Sequence, residues 1–130
     1  MPARILLIDD DDVARELLLS LLVAAGHQVW ELPSPIGATR IILSEQIEVV
    51  ILDIFMPQMN GDKSAKMLRE NPRMQGLGII LVSSCSEAEL RTLAERVGAD
   101  AIVSKADARS RLTQEVGRVL RTRTRSKAPV

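Results

Sequence analysis

An α/β domain, in which a parallel sheet of five strands alternates with five helices, is the fold class this sequence predicts, and three observations predict it. Short runs rich in Ile, Val and Leu recur at residues 5–8, 49–52, 79–82 and 101–103, without the polar alternation of a strand that faces water. Such runs suit strands covered on both faces. Between them lie apolar residues at helical spacing, as at Val13, Leu17, Leu18, Leu21 and Leu22. Capping and turn residues mark the points where strand and helix exchange. Strands and helices in this alternation form parallel pairs through right-handed crossovers.

Taken in order, the first strand runs into four consecutive acids, Asp9 to Asp12, and then into a helix that Ala24, Ala25 and Gly26 bring to a stop. A weaker strand at 28–32 precedes Pro33. Ser34 before Pro35 has the form of an N-cap with proline at the first helical position, which predicts a second helix from there to about Ser44. Asn60 or Gly61 opens the third helix, and Asn71-Pro72 ends it. Ser86, with Glu89 three residues later, has the capping-box form and starts a fourth helix through Val97, with Gly98 as terminator. The fifth helix begins near Asp107 and carries Leu112, Val116, Val119 and Leu120 on one face. The domain is expected to span 1–121, with the basic stretch 122–130 as a flexible tail.

The composition narrows the function classes. A chain of 130 residues is large enough for one core and too short for two. Seventeen Lys and Arg balance seventeen Asp and Glu, so no global field draws it to nucleic acid or an anionic membrane. The one cysteine, Cys85, excludes an internal disulfide and a multi-cysteine metal site, and suits a reducing, cytoplasmic setting. No stretch has the length or apolarity of a signal peptide or a membrane span.

The chemistry is expected at the carboxyl ends of the strands, where open parallel sheets bind their ligands. Asp9, Asp10, Asp11 and Asp12 follow the first strand, Asp53 ends the third, Ser83 ends the fourth and Lys105 follows the fifth. Crowded carboxylates repel one another unless a cation joins them, and hard oxygen ligands suit Mg²⁺. Acids after a strand also serve as helix caps, which is the role expected of Asp11 or Asp12. A carboxylate held beside a metal ion can act as a nucleophile on phosphorus, with Ser83 and Lys105 binding the phosphoryl oxygens.

Across residues 3–121 the sequence resembles the receiver domain of two-component response regulators. The opening strand with Asp9, Asp10 and Asp11, the segment from Asp53 through Gly61, and Ser83 and Lys105 at their spacings beyond Asp53 carry the resemblance. It implies a flavodoxin-like fold with strand order 2-1-3-4-5. It further implies that Asp53 accepts a phosphoryl group from a sensor histidine kinase or a histidine phosphotransfer protein. Mg²⁺ is then held by Asp9 through water, by Asp10 and Asp53, and by the backbone carbonyl of Phe55. Ser83 and Lys105 take the phosphoryl oxygens. The only catalysis implied is transfer to the protein's own aspartate and its reversal by water. The output is altered binding of an effector protein through the face of the fourth helix, fifth strand and fifth helix.

Several residues depart from the family pattern. Ala106 stands where a proline, often cis, usually follows the lysine, so this peptide bond is expected either trans or strained. Ile102 replaces the usual Tyr or Phe, which removes the aromatic rotamer switch and predicts plain core or an apolar patch. Ser84 stands at a position usually held by Ala or Gly and could narrow the path to the phosphoaspartate. Phe55 and Cys85 lie where water access is tuned, and slower hydrolysis is expected. His27 is expected to be a surface or loop residue, and Trp30, Met56, Met59, Met67 and Met74 to pack in the core or at its edge.

Other functions fit less of the sequence. A pseudo-receiver, binding partners without phosphorylation, is favoured by Ala106 and Ile102 and opposed by the intact acid, serine and lysine set. A metal-dependent phosphohydrolase would need a cap to enclose its substrate. The basic run Arg118, Arg121, Arg123, Arg125 and Lys127 offers only salt-sensitive, non-specific attraction to nucleic acid, and no DNA-reading domain accompanies it.

Overall fold

The computed structural model describes residues 2–56 and 59–126, with the side chains of all but 55–56, 59–62 and 124–126. Five parallel strands form one sheet: β1 (Arg4–Ile8), β2 (Gln28–Leu32), β3 (Val49–Asp53), β6 (Gly78–Ser83) and β7 (Ala101–Ser104), in the order β2-β1-β3-β6-β7. Counting only these strands, the order is the expected 2-1-3-4-5. Five α-helices alternate with them: α1 (Asp12–Ala24), α2 (Ala38–Ser44), α3 (Gly61–Glu70), α4 (Glu87–Val97) and α5 (Ala108–Ser126). The sequence did not announce a small antiparallel hairpin, β4 (Phe55–Met56) with β5 (Met59–Asn60), between β3 and α3.

The unalternating apolar runs are explained by two cores, one on each face of the sheet. Leu6, Ile8, Val50, Leu52, Ile79 and Leu81 face one side with residues of α2, α3 and α4, among them Ile42, Leu68 and Leu90. Ile5, Leu7, Val49, Ile51, Ile80 and Val82 face the other, against Leu18 and Leu22 of α1 and Leu112, Val116 and Val119 of α5. A strand with a core on each side leaves no face for polar residues. Each fully buried Leu or Ile contributes roughly 1.5–3 kcal/mol relative to exposure. Ile102 and Cys85 pack, partly buried, against the first core. Trp30 also packs there, beneath the guanidinium of Arg4, whose centre lies 5.0 Å from its ring centroid.

Caps fix most helix ends where the sequence placed them. Asp11 is the N-cap of α1, and its Oδ1 accepts hydrogen bonds from the N–H of Val13 and Ala14. Ser86 caps α4 by accepting from Glu89 N–H at 3.2 Å. Gly98 ends it at φ 74°, a left-handed conformation that glycine adopts without Cβ strain.

Four expectations are corrected. Helix α2 starts at Ala38 rather than after Ser34, because Ser34 Oγ accepts from Ile36 N–H in a turn and Gly37, at φ 86°, takes the cap position. Val13 does not face the core: as the second residue of α1, it is 78% exposed. Met67 is 71% exposed, whereas Met74 is buried as expected; the side chains of Met56 and Met59 lie outside the described residues. Helix α5 continues through Ser126, so residues 122–126 prolong the helix and do not leave it as a tail; residues 127–130 lie outside the described residues.

Candidate functional site

Strand order reverses beside β1, which has β2 on one side and β3 on the other, so the crevice at their carboxyl ends is the switch point of the sheet. Asp9 follows β1 directly and Asp53 is the last residue of β3; each strand delivers its carboxylate to the rim in register with its neighbour, Ile8 opposite Leu52. Ser83 is the last residue of β6, and Lys105 follows Ser104 of β7, which pairs with Ser83.

The structure brings Asp9, Asp10 and Asp53 together, with one carboxylate oxygen from each lying within 4.8 Å of the others. Asp9 and Asp53 are buried, and Asp10 is exposed. Lys105 Nζ lies 3.0 Å from Asp9 Oδ2 and 3.0 Å from Asp53 Oδ2. The ammonium thus hydrogen-bonds Asp53 Oδ2 and pairs with Asp9 Oδ2 at the same distance. Burial works to lower the Lys105 pKa, but the interactions with Asp9 and Asp53 outweigh it and hold the ammonium above the usual lysine value. The lysine is therefore fully charged near neutrality.

Ala106 does not disturb this aim. No described peptide bond is cis, and Lys105 opens a 3₁₀ turn (Lys105–Asp107) that leads straight into α5. Ser83 is fully buried, and its Oγ accepts from Cys85 N–H at 3.1 Å, which leaves its own O–H to donate. Ser84 is exposed at this rim, and Phe55 opens β4 two residues after Asp53. The Phe55 side chain lies outside the described residues.

Arg15, which the motifs did not single out, holds the first turn of the site. It donates through Nη1 to the carbonyl of Asp9, while Nη2 lies 2.7 Å from Asp12 and Nε 3.3 Å from Glu31 of β2. Asp11 N–H donates to Asp9 Oδ1 at 2.9 Å, and Asp9 N–H to Leu32 O at 3.2 Å. Asp12 and Arg15 stand three residues apart on α1, a legible pair. Glu31 reaches them only through the sheet. His27 lies in the loop before β2, where Nδ1 accepts from Ala3 N–H at 3.0 Å; it is far in sequence and in strand position from the acid cluster.

The residues present fit a divalent cation. Among the described side chains, three carboxylates meet one ammonium, a formal excess of two negative charges on hard oxygen ligands.

Comparison with known proteins agrees with this geometry. The family described as response regulator receiver domain matches residues 5–117. The transcriptional regulatory protein GltR of Pseudomonas aeruginosa is 31% identical over 101 residues, which are 78% of this chain and 42% of GltR. Protein PilH of the same organism is 26% identical over 118 residues, 91% of this chain and 98% of PilH. The chain thus spans under half the length of GltR and nearly all of PilH. In fold, it is similar to chemotaxis protein CheY4 of Vibrio cholerae, with a TM-score of 0.82 at 24% identity over 92% of this chain and 100% of that one. It is likewise similar to a receiver domain protein of Methanospirillum hungatei, with a TM-score of 0.84 at 21% identity over 97% of this chain and 99% of that one. With two buried aspartates and a lysine converging at the switch point of a five-stranded sheet, and a family match across most of its length, the chain belongs to the response regulator receiver domains.

Proposed function

We propose that this receiver is a phosphorylation-controlled switch in which Asp53 takes a phosphoryl group from a phosphohistidine of a sensor kinase or phosphotransfer protein. The observation that carries the reading is the meeting of Asp9, Asp10 and Asp53 at the switch point of the sheet, where among the described side chains the Lys105 ammonium pairs with two of the three carboxylates. A site of that charge suits a divalent cation and a nucleophilic carboxylate better than it suits stability alone.

Asp9, Asp10, Asp53 and the Phe55 carbonyl would hold Mg²⁺, with Asp9 acting through water. When bound, that ion supplies charge neutralisation on the phosphoryl oxygens. An Asp53 carboxylate oxygen attacks phosphorus; the new P–O bond forms as the P–N bond breaks, and the departing imidazole keeps the electron pair and takes a proton from solvent. Lys105 then exchanges its contact with Asp53 Oδ2 for a phosphoryl oxygen, and Ser83 donates its hydroxyl hydrogen to another. Water attacking the same phosphorus later restores the carboxylate and releases inorganic phosphate. The altered charge at the rim is read by an effector on the α4–β7–α5 face, where half-buried Ile102 does the packing that an aromatic side chain does in other receivers. The setting is the cytosol: Cys85 is a free thiol, and among the described residues no helix is long and apolar enough to cross a membrane.

The test is exposure to acetyl phosphate or beryllofluoride with and without Mg²⁺, followed by intact mass and Trp30 fluorescence. A Mg²⁺-dependent adduct that Asp53→Asn removes supports the switch. A folded protein that gains no adduct under any condition is instead a pseudo-receiver, binding its partners without phosphorylation.

A further inference from the structure

A groove between α2 and α3 has no part in the acid cluster. Its volume is about 150 Å³, and Ile8, Pro35, Ala38, Thr39, Met67 and Leu68 are among the residues that line it. Ile8, Ala38 and Leu68 belong to the buried core, whereas Met67 is 71% exposed. In the turn before α2, next to Pro35, Ile36 is 74% exposed. Single exposed apolar residues are ordinary, but two large ones beside an apolar concavity mark a contact surface. A dry cavity of about 150 Å³ admits a benzene-sized group, so this one has room for one Leu or Phe side chain.

The exposed charges described beside the groove are mostly basic, three cations to the one carboxylate Glu70. Arg40, Lys63 and Lys66 are exposed, and each is a sequence neighbour of a lining residue: Thr39, Ser64 and Met67. Among the described side chains of α2 and α3, Glu70 is the one carboxylate, 3.9 Å from Lys66. Arg69, the remaining cation of α3, is engaged by Asp100.

We propose that the α2–α3 groove docks an acidic amphipathic helix of a partner protein, one Leu or Phe of which fills the cavity while its carboxylates face Arg40, Lys63 and Lys66. Helices are commonly captured in this way, the apolar anchor carrying most of the affinity and the charges setting approach and salt dependence. Helix α2 packs on β1 and α3 on β3, whereas the α4–β7–α5 face lies at the other edge of the sheet. A partner in the groove therefore leaves that face open for a second one.

The probe is a fluorescein-labelled synthetic helix, glutamate-rich with one phenylalanine on its apolar face, titrated with the full chain and followed by anisotropy. Saturable binding is expected that weakens with salt and with the double change Lys63→Glu and Lys66→Glu. It should also fall about tenfold with Met67→Glu or with alanine in place of the peptide's phenylalanine. Because Met67 is largely exposed, Met67→Glu should keep the thermal midpoint of the parent, and circular dichroism checks this. Undiminished affinity in Met67→Glu, equal binding of a lysine-rich counterpart, or no saturable binding overturns the proposal. A concentration-dependent dimer in sedimentation, abolished by Met67→Glu, would give the groove to a second copy of the chain and overturn it as well.

Discussion

The two ends of the sheet each carry a cluster of charges, and the clusters are built on opposite plans. At the carboxyl ends of the strands, Asp9 and Asp53 share the Lys105 ammonium with the Asp10 carboxylate beside them. At the amino ends, one carboxylate, Asp100, is shared by two guanidinium groups: Arg69 Nη2 lies 2.7 Å from Oδ2, and Arg123 Nη2 bonds to Oδ1. Asp100 Oδ2 also accepts from Ile79 N–H. The arginines spend their other donors on backbone, Arg69 on Gly98 and Leu77, Arg123 on Gln75, while Arg118 reaches the carbonyl of Asp100. That cluster ties α3, β6, the turn before β7 and α5 together through side-chain and backbone bonds, and Arg123 Nε is buried within it without a hydrogen-bond partner. The acid cluster carries the opposite excess of charge among its described side chains, and it lies at the switch point of the sheet. The basic cluster fastens elements to one another, and the acidic one faces the crevice where such sheets bind ligands.

Substitution at each end should separate the two plans most sharply. Asp53→Asn should abolish the phosphoadduct while changing folding stability by no more than about 1 kcal/mol. Two like charges at about 5 Å repel by roughly 3 kcal/mol at an effective dielectric constant near 20, so relief of repulsion from Asp9 and Asp10 about cancels the lost attraction to Lys105. Asp100→Asn should leave the phosphoadduct intact and destabilise the protein by about 3 kcal/mol, because two half-buried guanidinium groups lose their counter-charge. Denaturant titration and intact mass, applied to both variants, decide the matter. Equal stability losses would dissolve the distinction between the ends.

Cation binding sharpens it next. Mg²⁺ at about a hundred times its dissociation constant should raise the stability of the parent by about 2.7 kcal/mol. The same increment is expected in Asp100→Asn, whose defect lies at the other end. Lys105→Met should destabilise the metal-free protein by about 2 kcal/mol, and Mg²⁺ should recover most of that loss, since either cation relieves the same repulsion.

A smaller effect concerns packing at the amino end. A Cβ on Gly78 would lie 2.6 Å from Val119 Cγ1, so Gly78→Ala should cost about 1–3 kcal/mol by pushing α5 off the sheet, without altering Mg²⁺ affinity.

The smallest is a pH dependence. Burial, helped by the nearby N-terminal ammonium and opposed by Glu48, lowers the His27 pKa, in keeping with Nδ1 accepting from Ala3 N–H. Because the fold disfavours the protonated form, the unfolded chain binds more protons just below the ordinary histidine value of about 6.5. The contribution of His27 is therefore complete above that pH and is lost as pH falls towards the depressed folded-state value. The drop in thermal midpoint between neutral and mildly acidic buffer should shrink in His27→Gln.

Much of the fold was legible because its signals are local. The apolar runs, the Asp11 and Ser86 caps and the Gly98 stop depend on residues within one or two turns, and each occurs where it was expected. The start of α2 was misread because Ser34-Pro35 suits a turn as well as a cap, and only the left-handed Gly37 shows which. The Val13 error has a different origin. Helical spacing shows which residues share a face but not how much of that face is covered. The candidate site was legible as a set of residues, since strand ends are predictable and ligands gather beyond them. Arg15 with Glu31 and the Asp100 cluster were not, because their partners come from distant segments with no fixed spacing.

By itself, the sequence determined the five strands of the main sheet and the five helices between them, that both faces of the sheet are buried, and that Asp9, Asp10, Asp53, Ser83 and Lys105 end up on one rim. Period, composition and capping are properties of neighbouring residues, and a parallel sheet converts them into positions. Only the tertiary structure decided that Lys105 stands 3.0 Å from both Asp9 and Asp53 without balancing them, and that basic α5 is bolted to Asp100 and does not trail away as a tail. It also decided that α2 and α3 stand far enough apart to leave a groove. Distances between charges, and the gaps between helices, depend on how whole elements pack against one another, and no local pattern encodes them.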